Sequence, residues 1–305
     1  MAKQKYLVKR LIPMNILITS PIHLRDLTIF LEKMNNKRSS HIGFCGEDRG
    51  EIYDHLMNDF SDLELKDSFL VAYNHSRIVG AIGLDIDLKK GYADVWGPFV
   101  EGEDIDMAQQ LWETITLKTP PMIKTFSFFL NEDNHFGKEF VLQNKGIDQG
   151  SDLVLSITRD RFINHTPSDV ETYSDAYRQS FINLHNEVFP TTYFDAHTII
   201  SRLNDFNHLF FVTENEHDIK GYVYIEANPK HMEANIEYIA VSTKLRKQGI
   251  GKTLIRVATD HLFSYSEIME ITICVGGDNL AAIHLYKSVG FLEKYKLISY
   301  DIVRH

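Results

Sequence analysis

The residues best suited to chemistry lie in one short basic stretch. Between positions 241 and 253 the chain gathers Lys244, Arg246, Lys247 and Lys252 around two glycines, Gly249 and Gly251, and Arg256 follows before the first acid, Asp260. An alternating apolar run precedes this stretch. A helical stripe of Ile250, Leu254, Ala258 and Leu262 follows it, so the loop falls at a strand-to-helix turn. Glycines let a backbone approach a ligand closely, and the free amides of a first helical turn favour an anion. Arg-x-x-Gly-x-Gly at such a turn therefore reads as a pyrophosphate cradle, with a solvated basic helix start as the plain alternative. Two other phosphate loops fail: a Walker A loop needs glycine where Arg246 stands, and a dinucleotide fingerprint needs it where Leu254 stands. Further on, Asn279 is placed to cap a helix that carries Tyr286 and stops at a left-handed glycine, Gly290.

In this order the two motifs resemble the acyl-CoA signatures of the GNAT acetyltransferase superfamily, with Arg246, Gly249 and Gly251 at the defining places and Gln248 as commonly found. The resemblance covers about 209–303 well and the first half only weakly. It implies acetyl-CoA as acetyl donor, held by Ile239, Ala240, Val241, Arg246, Lys247, Gln248, Gly249, Ile250, Gly251, Lys252, Asn279 and Tyr286. Within that set Asn279 would hold the pantetheine arm, and Tyr286 would lie near the thioester sulfur as general acid. Glu237 matches the position from which many members activate the amine, a solvent-facing glutamate being the alternative. Plain strand alternation puts Glu237 and Ile239 on one face and Ile236, Tyr238 and Ala240 on the other. Oxyanion donors would be backbone amides at 239–241. The resemblance points to about 183–202 for the acceptor, and there Glu187, Tyr193 and Asp195 are candidate substrate-binding residues because carboxylates and an aromatic ring suit a cationic amine. The implied activity is N-acetyl transfer to a primary amine of a small molecule or peptide. A non-catalytic acyl-CoA-binding or regulatory protein is the competing function. An aminoacyl transferase of the tandem cell-wall type would need a long helical arm that the sequence does not insert.

The elements that must position these residues occur twice. A hairpin pattern at 69–83 recurs at 209–224, a third strand at 93–100 recurs at 234–241, and helices follow at about 106–117 and 249–263. Strands at 126–130 and 271–275 match, each leading to a helix stopped by Gly146 or Gly290, and terminal strands at 153–157 and 297–301 also correspond. The expected fold is α/β of the α+β type, two GNAT-like domains each with a mixed, largely antiparallel sheet flanked by helices. The boundary falls near Arg159 and Phe162, giving domains 1–160 and 161–305. Where the second half has its basic loop, the first has Glu101, Glu103, Asp104 and Asp106, and Leu142 takes the place of Tyr286. The first domain is thus expected to be degenerate, without a cofactor loop, and the second to be the acetyl-CoA-binding catalytic domain.

Composition bounds the partners. The 305 residues carry 42 acids against 32 Lys and Arg, a formal charge of −10, which opposes binding to nucleic acid or an anionic membrane. The opening segment is broken by Lys3, Lys5, Lys9 and Arg10, with no run of signal-peptide or membrane-span length, and two cysteines cannot build a disulfide framework. A cytoplasmic protein is expected. No metal is expected either: no His-Glu-x-x-His occurs, and His185 and His197 lack helical ligand spacing. Cys274, inside an apolar strand, reads as an inert thiol.

Overall fold

The computed structural model describes residues 16–164 and 170–304. The opening residues 1–15 and the polar run 165–169, next to the expected boundary, lie outside the described residues. In chain order the first elements are β1 (Ile16–Thr19), α1 (Leu24–Asn35), α2 (Arg49–Asn58), α3 (Leu65–Ser68), β2 (Phe69–Asn74), β3 (Arg77–Asp87), β4 (Tyr92–Val100), α4 (Ile105–Lys118), β5 (Thr125–Asn131), α5 (His135–Gln143) and β6 (Ile147–Thr158). Then come β7 (Glu171–Thr172), α6 (Arg178–Val188), α7 (Ala196–Arg202), β8 (Asn207–Thr213), β9 (Ile219–Asn228), β10 (Glu233–Val241), α8 (Ile250–Leu262), β11 (Glu270–Gly276), α9 (Leu280–Lys287) and β12 (Leu292–Val303). They form two compact units, one of the described residues through Ser151 with those from Leu297 onward, the other of Asp152–Lys296.

The first unit is a mixed sheet in the order β1-β2-β3-β4-β5-β12, antiparallel except for β4 with β5. Phe69, Val71 and Ala72 of β2 are fully buried, as expected of a strand covered on both faces. The apolar stripe of α4, including Leu111, Trp112 and Ile115, is buried, with Trp112 edge-on to Phe126 at 5.1 Å.

The second unit repeats the plan in the order β6-β11-β10-β9-β8-β7, again antiparallel except for one pair, β10 with β11. Leu254, Ala258 and Leu262 of α8 pack with Val223, Ile225 and Ile236 on one face of the sheet. Phe181 and Leu184 of α6 and Ile199 of α7 pack with Phe211, Tyr222 and Tyr238 on the other. The mixed, largely antiparallel sheets flanked by helices agree with the sequence expectation.

In each unit the parallel pair is joined over three residue pairs only, ending at Asp94↔Ser127 and at Asn235↔Thr272. Beyond Asn235 and Thr272 the two strands no longer pair with each other, while β11 stays paired with β6 and β10 with β9. The space so opened is where the candidate site lies.

The compact units differ from the expected domains 1–160 and 161–305. Residues 152–158 of β6 pair with β11, and Leu297 through Val303 of β12 pair with β5, so each half of the repeat donates its last strand to the other half's sheet. Periodicity identifies two equivalent strands, but it carries no signal for which sheet each joins. Among the described residues, no helix is long and apolar enough to cross a membrane.

Candidate functional site

The site is built on the loop between β10 and α8. Lys247 and Gly249 turn the chain with positive φ, 63° and 84°. Gly249 stands at the N-cap of α8, and no side chain caps that helix, so its first-turn amides are left to an external acceptor. A Cβ on Gly249 would meet nothing within 4 Å; its glycine is required by backbone conformation alone. At Gly251 a Cβ would lie 2.8 Å from a methyl of Leu285 on α9, so a side chain there would have to displace that methyl. Arg246, Lys247 and Gln248 are exposed beside the turn.

The corresponding place in the first unit is arranged oppositely. The Asp104 carboxylate caps α4 by accepting from the amides of Asp106 and Met107 at 3.1 and 3.2 Å, so that helix satisfies its own N-terminus. The hollow there measures about 240 Å³ and is lined by Glu101 and Glu103, with Glu101 bound to Lys33 and Arg77. Leu142 is exposed where Tyr286 is buried.

A cleft of about 700 Å³ opens between the unpaired ends of β10 and β11. It is lined by Glu237 through Val241, by Arg246, Lys247 and Gly249 through Lys252, and by Asn279 and Tyr286. Every expected cofactor residue except Gln248 therefore faces one cavity. Asn279 caps α9, its side-chain oxygen accepting from the Ala282 amide at 3.2 Å. Asn134 caps α5 in the same way at 2.8 Å, so this cap belongs to the repeat and not to the cradle alone. Tyr286 is 4% exposed, and burial pushes its phenol above the ordinary range, so at neutral pH it is a proton donor.

Glu237 sits at a β-bulge. Ile236 pairs with Ile225 and Tyr238 with Tyr224, leaving Glu237 as the extra residue. The bulge shifts the alternation by one position: Ile236 and Ile239 belong to the α8 side, Tyr238 and Ala240 to the α6–α7 side. The expected grouping of Ile236 with Tyr238 and Ala240 is corrected accordingly. Burial pushes the Glu237 carboxyl above the usual carboxylate range; a hydrogen bond from the Tyr193 hydroxyl opposes this, with Glu226 acting upward and Arg202 downward.

Of the three acceptor candidates, only Tyr193 is brought to Glu237. Asp195 caps α7, accepting from the Thr198 amide at 2.7 Å, which holds its carboxyl below the usual range. Glu187 is exposed and reaches Thr243 at 3.5 Å. Val188 and Phe189, inside the expected acceptor segment 183–202 but not among its named candidates, also line the cleft; in sequence they show only as the apolar end of a helical pattern. Cys274 is not enclosed in its strand: it is exposed on the cleft wall, where desolvation with Asp152 and Glu237 pushes its thiol up to about 12. It stays a thiol at neutral pH. Among the described residues, no group of three or more His, Cys, Asp or Glu is placed to hold a metal ion.

Residues 171–291 match the acetyltransferase (GNAT) family model, and the chain carries a domain of that family there. Over 90 residues it is 31% identical to a spermidine N(1)-acetyltransferase of Vibrio cholerae serotype O1, a match covering 29% of this chain and 51% of that protein. The chain thus spans about half the length of this curated relative. Its fold is similar to a GCN5-related N-acetyltransferase from Sphaerobacter thermophilus, at 13% identity and TM-score 0.71, covering 96% of this chain and 98% of that one. It is also similar to a tandem GNAT protein from the clavulanic acid biosynthesis pathway, at 13% identity and TM-score 0.66, covering 94% and 98%.

Proposed function

We propose, from the GNAT domain at 171–291, that this chain is an acetyl-CoA-dependent N-acetyltransferase with one working cleft, in the second unit, and a first unit that has no cofactor loop. The observation that carries the reading is the contrast between two like-built helix starts: α8 leaves its amides open beside Arg246, Lys247 and Lys252, while α4 is closed by Asp104. A diphosphate fits the former through backbone amides, helix dipole and cations together. Ile239, Ala240, Val241, Arg246, Lys247, Gly249, Ile250, Gly251, Lys252 and Asn279 would hold acetyl-CoA, with Gln248 at the loop's outer side. Bound there, that cosubstrate supplies a thioester carbonyl for acyl transfer.

The chain's own groups then divide the work. A protonated amine cannot attack, so Glu237 at the bulge takes its proton, directly or through a water. Backbone amides at 239–241, left without strand partners on the β11 side, would donate to the oxyanion. Tyr286, buried and neutral, would give its proton to the departing sulfur. The acceptor is a primary amine of a small molecule or peptide, approaching past Tyr193, and the relative's spermidine belongs in the first test set. Two free cysteines and the absence of a spanning helix among the described residues fit the cytoplasm as the place of action.

Acetyl-CoA with a panel of amines, spermidine included, is expected to give amine-dependent thiol release and an acetylated product by mass spectrometry. Release that no amine accelerates, from a protein that acetyl-CoA nevertheless stabilises against heat, would leave a binding protein and overturn the transferase reading.

A further inference from the structure

Tyr193 lies in the segment between α6 and α7, and that segment is fixed at several points. The Tyr238 hydroxyl meets Thr192 Oγ1 at 2.6 Å and accepts from the Phe194 amide at 3.2 Å. His185, fully buried, donates from Nε2 to the Phe194 carbonyl at 3.0 Å, which leaves Nδ1 to accept from the Tyr222 hydroxyl at 2.6 Å. The Arg202 guanidinium lies 4.3 Å above the Phe194 ring. On this anchored frame the Tyr193 ring packs at 4.4 Å from Phe194 and 5.6 Å from Tyr238, and its hydroxyl donates to Glu237 Oε2.

We propose that Tyr193 is a positioning residue for Glu237: its phenol, fixed on Oε2, aims the carboxylate into the cleft and holds it in the form that can accept the amine's proton on Oε1. The inference rests on the reading of Glu237 as base, and it changes Tyr193 from a contact for the substrate into a support for that base. In the step concerned, one N–H bond of the ammonium breaks, its proton passes to Oε1, and the freed electron pair attacks the thioester carbonyl. The other groups facing Glu237 are Glu226 on β9, itself held by Arg202 at 2.9 Å and by the Tyr224 hydroxyl at 2.6 Å, the neighbouring Tyr238 phenol, and Cys274 on β11. Glu226 disfavours the ionised carboxylate, and Arg202 favours it from beyond Glu226. Tyr193 is the group that donates directly to it, and a donor to the charged form lowers the pH at which a carboxylate ionises.

Tyr193→Phe keeps the ring against Phe194 and Tyr238 and removes only the donor. Carbon-13 glutamate carboxyl titrations of the wild type and the variant, with the Glu237 signal identified by its loss in Glu237→Gln, need neither acetyl-CoA nor an acceptor. The variant's Glu237 should titrate about one pH unit higher. The acid limb of its kcat/KM profile should move upward by the same amount, with the melting shift given by acetyl-CoA retained. An unmoved titration in a folded variant would overturn the inference. A moved titration in a protein that acetylates no amine would uphold Tyr193 as the support of Glu237 and overturn the transferase reading instead.

Discussion

At the scale of single residues, the proposed reaction divides two jobs in the cleft by burial and position. Glu237 is the unpaired residue of a bulge with a phenol on one oxygen, so it can exchange a proton at the cleft wall. Tyr286, held against Phe291 at 6.3 Å between ring centres, is kept neutral by the same low-dielectric surroundings that would strengthen its hydrogen bond to a thiolate. Tyr286→Phe should therefore leave the acetyl-CoA melting shift nearly intact and lower turnover by about 10²-fold. Steady-state kinetics at saturating donor and acceptor, with single-turnover rates to confirm that chemistry limits, would check it; an unchanged rate would make Tyr286 a packing residue.

At the scale of elements, hairpins, helices and caps were legible because each leaves a local pattern. The helix expected at about 249–263 is α8 at Ile250–Leu262, and the N-cap and glycine stop expected around Tyr286 are Asn279 and Gly290, the latter at φ 111°. The bulge at Glu237 was not legible, because one extra residue looks in sequence like any other polar member of a strand. Nor was the bond from Tyr193, which joins groups 44 residues apart. The first unit's strands hold a third feature that sequence does not reveal. Asp85 on β3, Asp94 on β4, Ser127 on β5 and Asp301 on β12 stand opposite one another in consecutive pairings, a row of three carboxyls on one sheet face. Burial, with Asp94, Asp62 and Asp87 adding to it, raises Asp85 to about 7, and burial raises Asp94 to about 6. A carboxyl raised above its ordinary 3.8 binds a proton in the folded state that the unfolded chain has released. The contribution of Asp85 to stability is therefore fully present below about pH 4 and is lost as pH rises through about 7. Asp85→Asn should raise the melting temperature at pH 8 and change it little at pH 5. An equal shift at both, measured by scanning calorimetry, would contradict the assignment of the protonated carboxyl.

At the scale of the whole molecule, one plan is used twice and tuned in opposite directions. Each unit has a parallel pair joined at three positions, an asparagine-capped helix after its second strand, and a last strand taken from the other half of the sequence. At the corresponding helices, α8 leaves its start open between cations, whereas α4 is capped by Asp104 beside Glu101 and Glu103. On the proposed function this difference decides which unit holds acetyl-CoA, and calorimetric titration with acetyl-CoA is the direct test. One site per chain is expected, abolished in Gly249→Val because a β-branched residue cannot adopt φ 84° without strain and would deform the cradle, with the variant otherwise folded. A stoichiometry near two, or full binding retained in Gly249→Val, would contradict it.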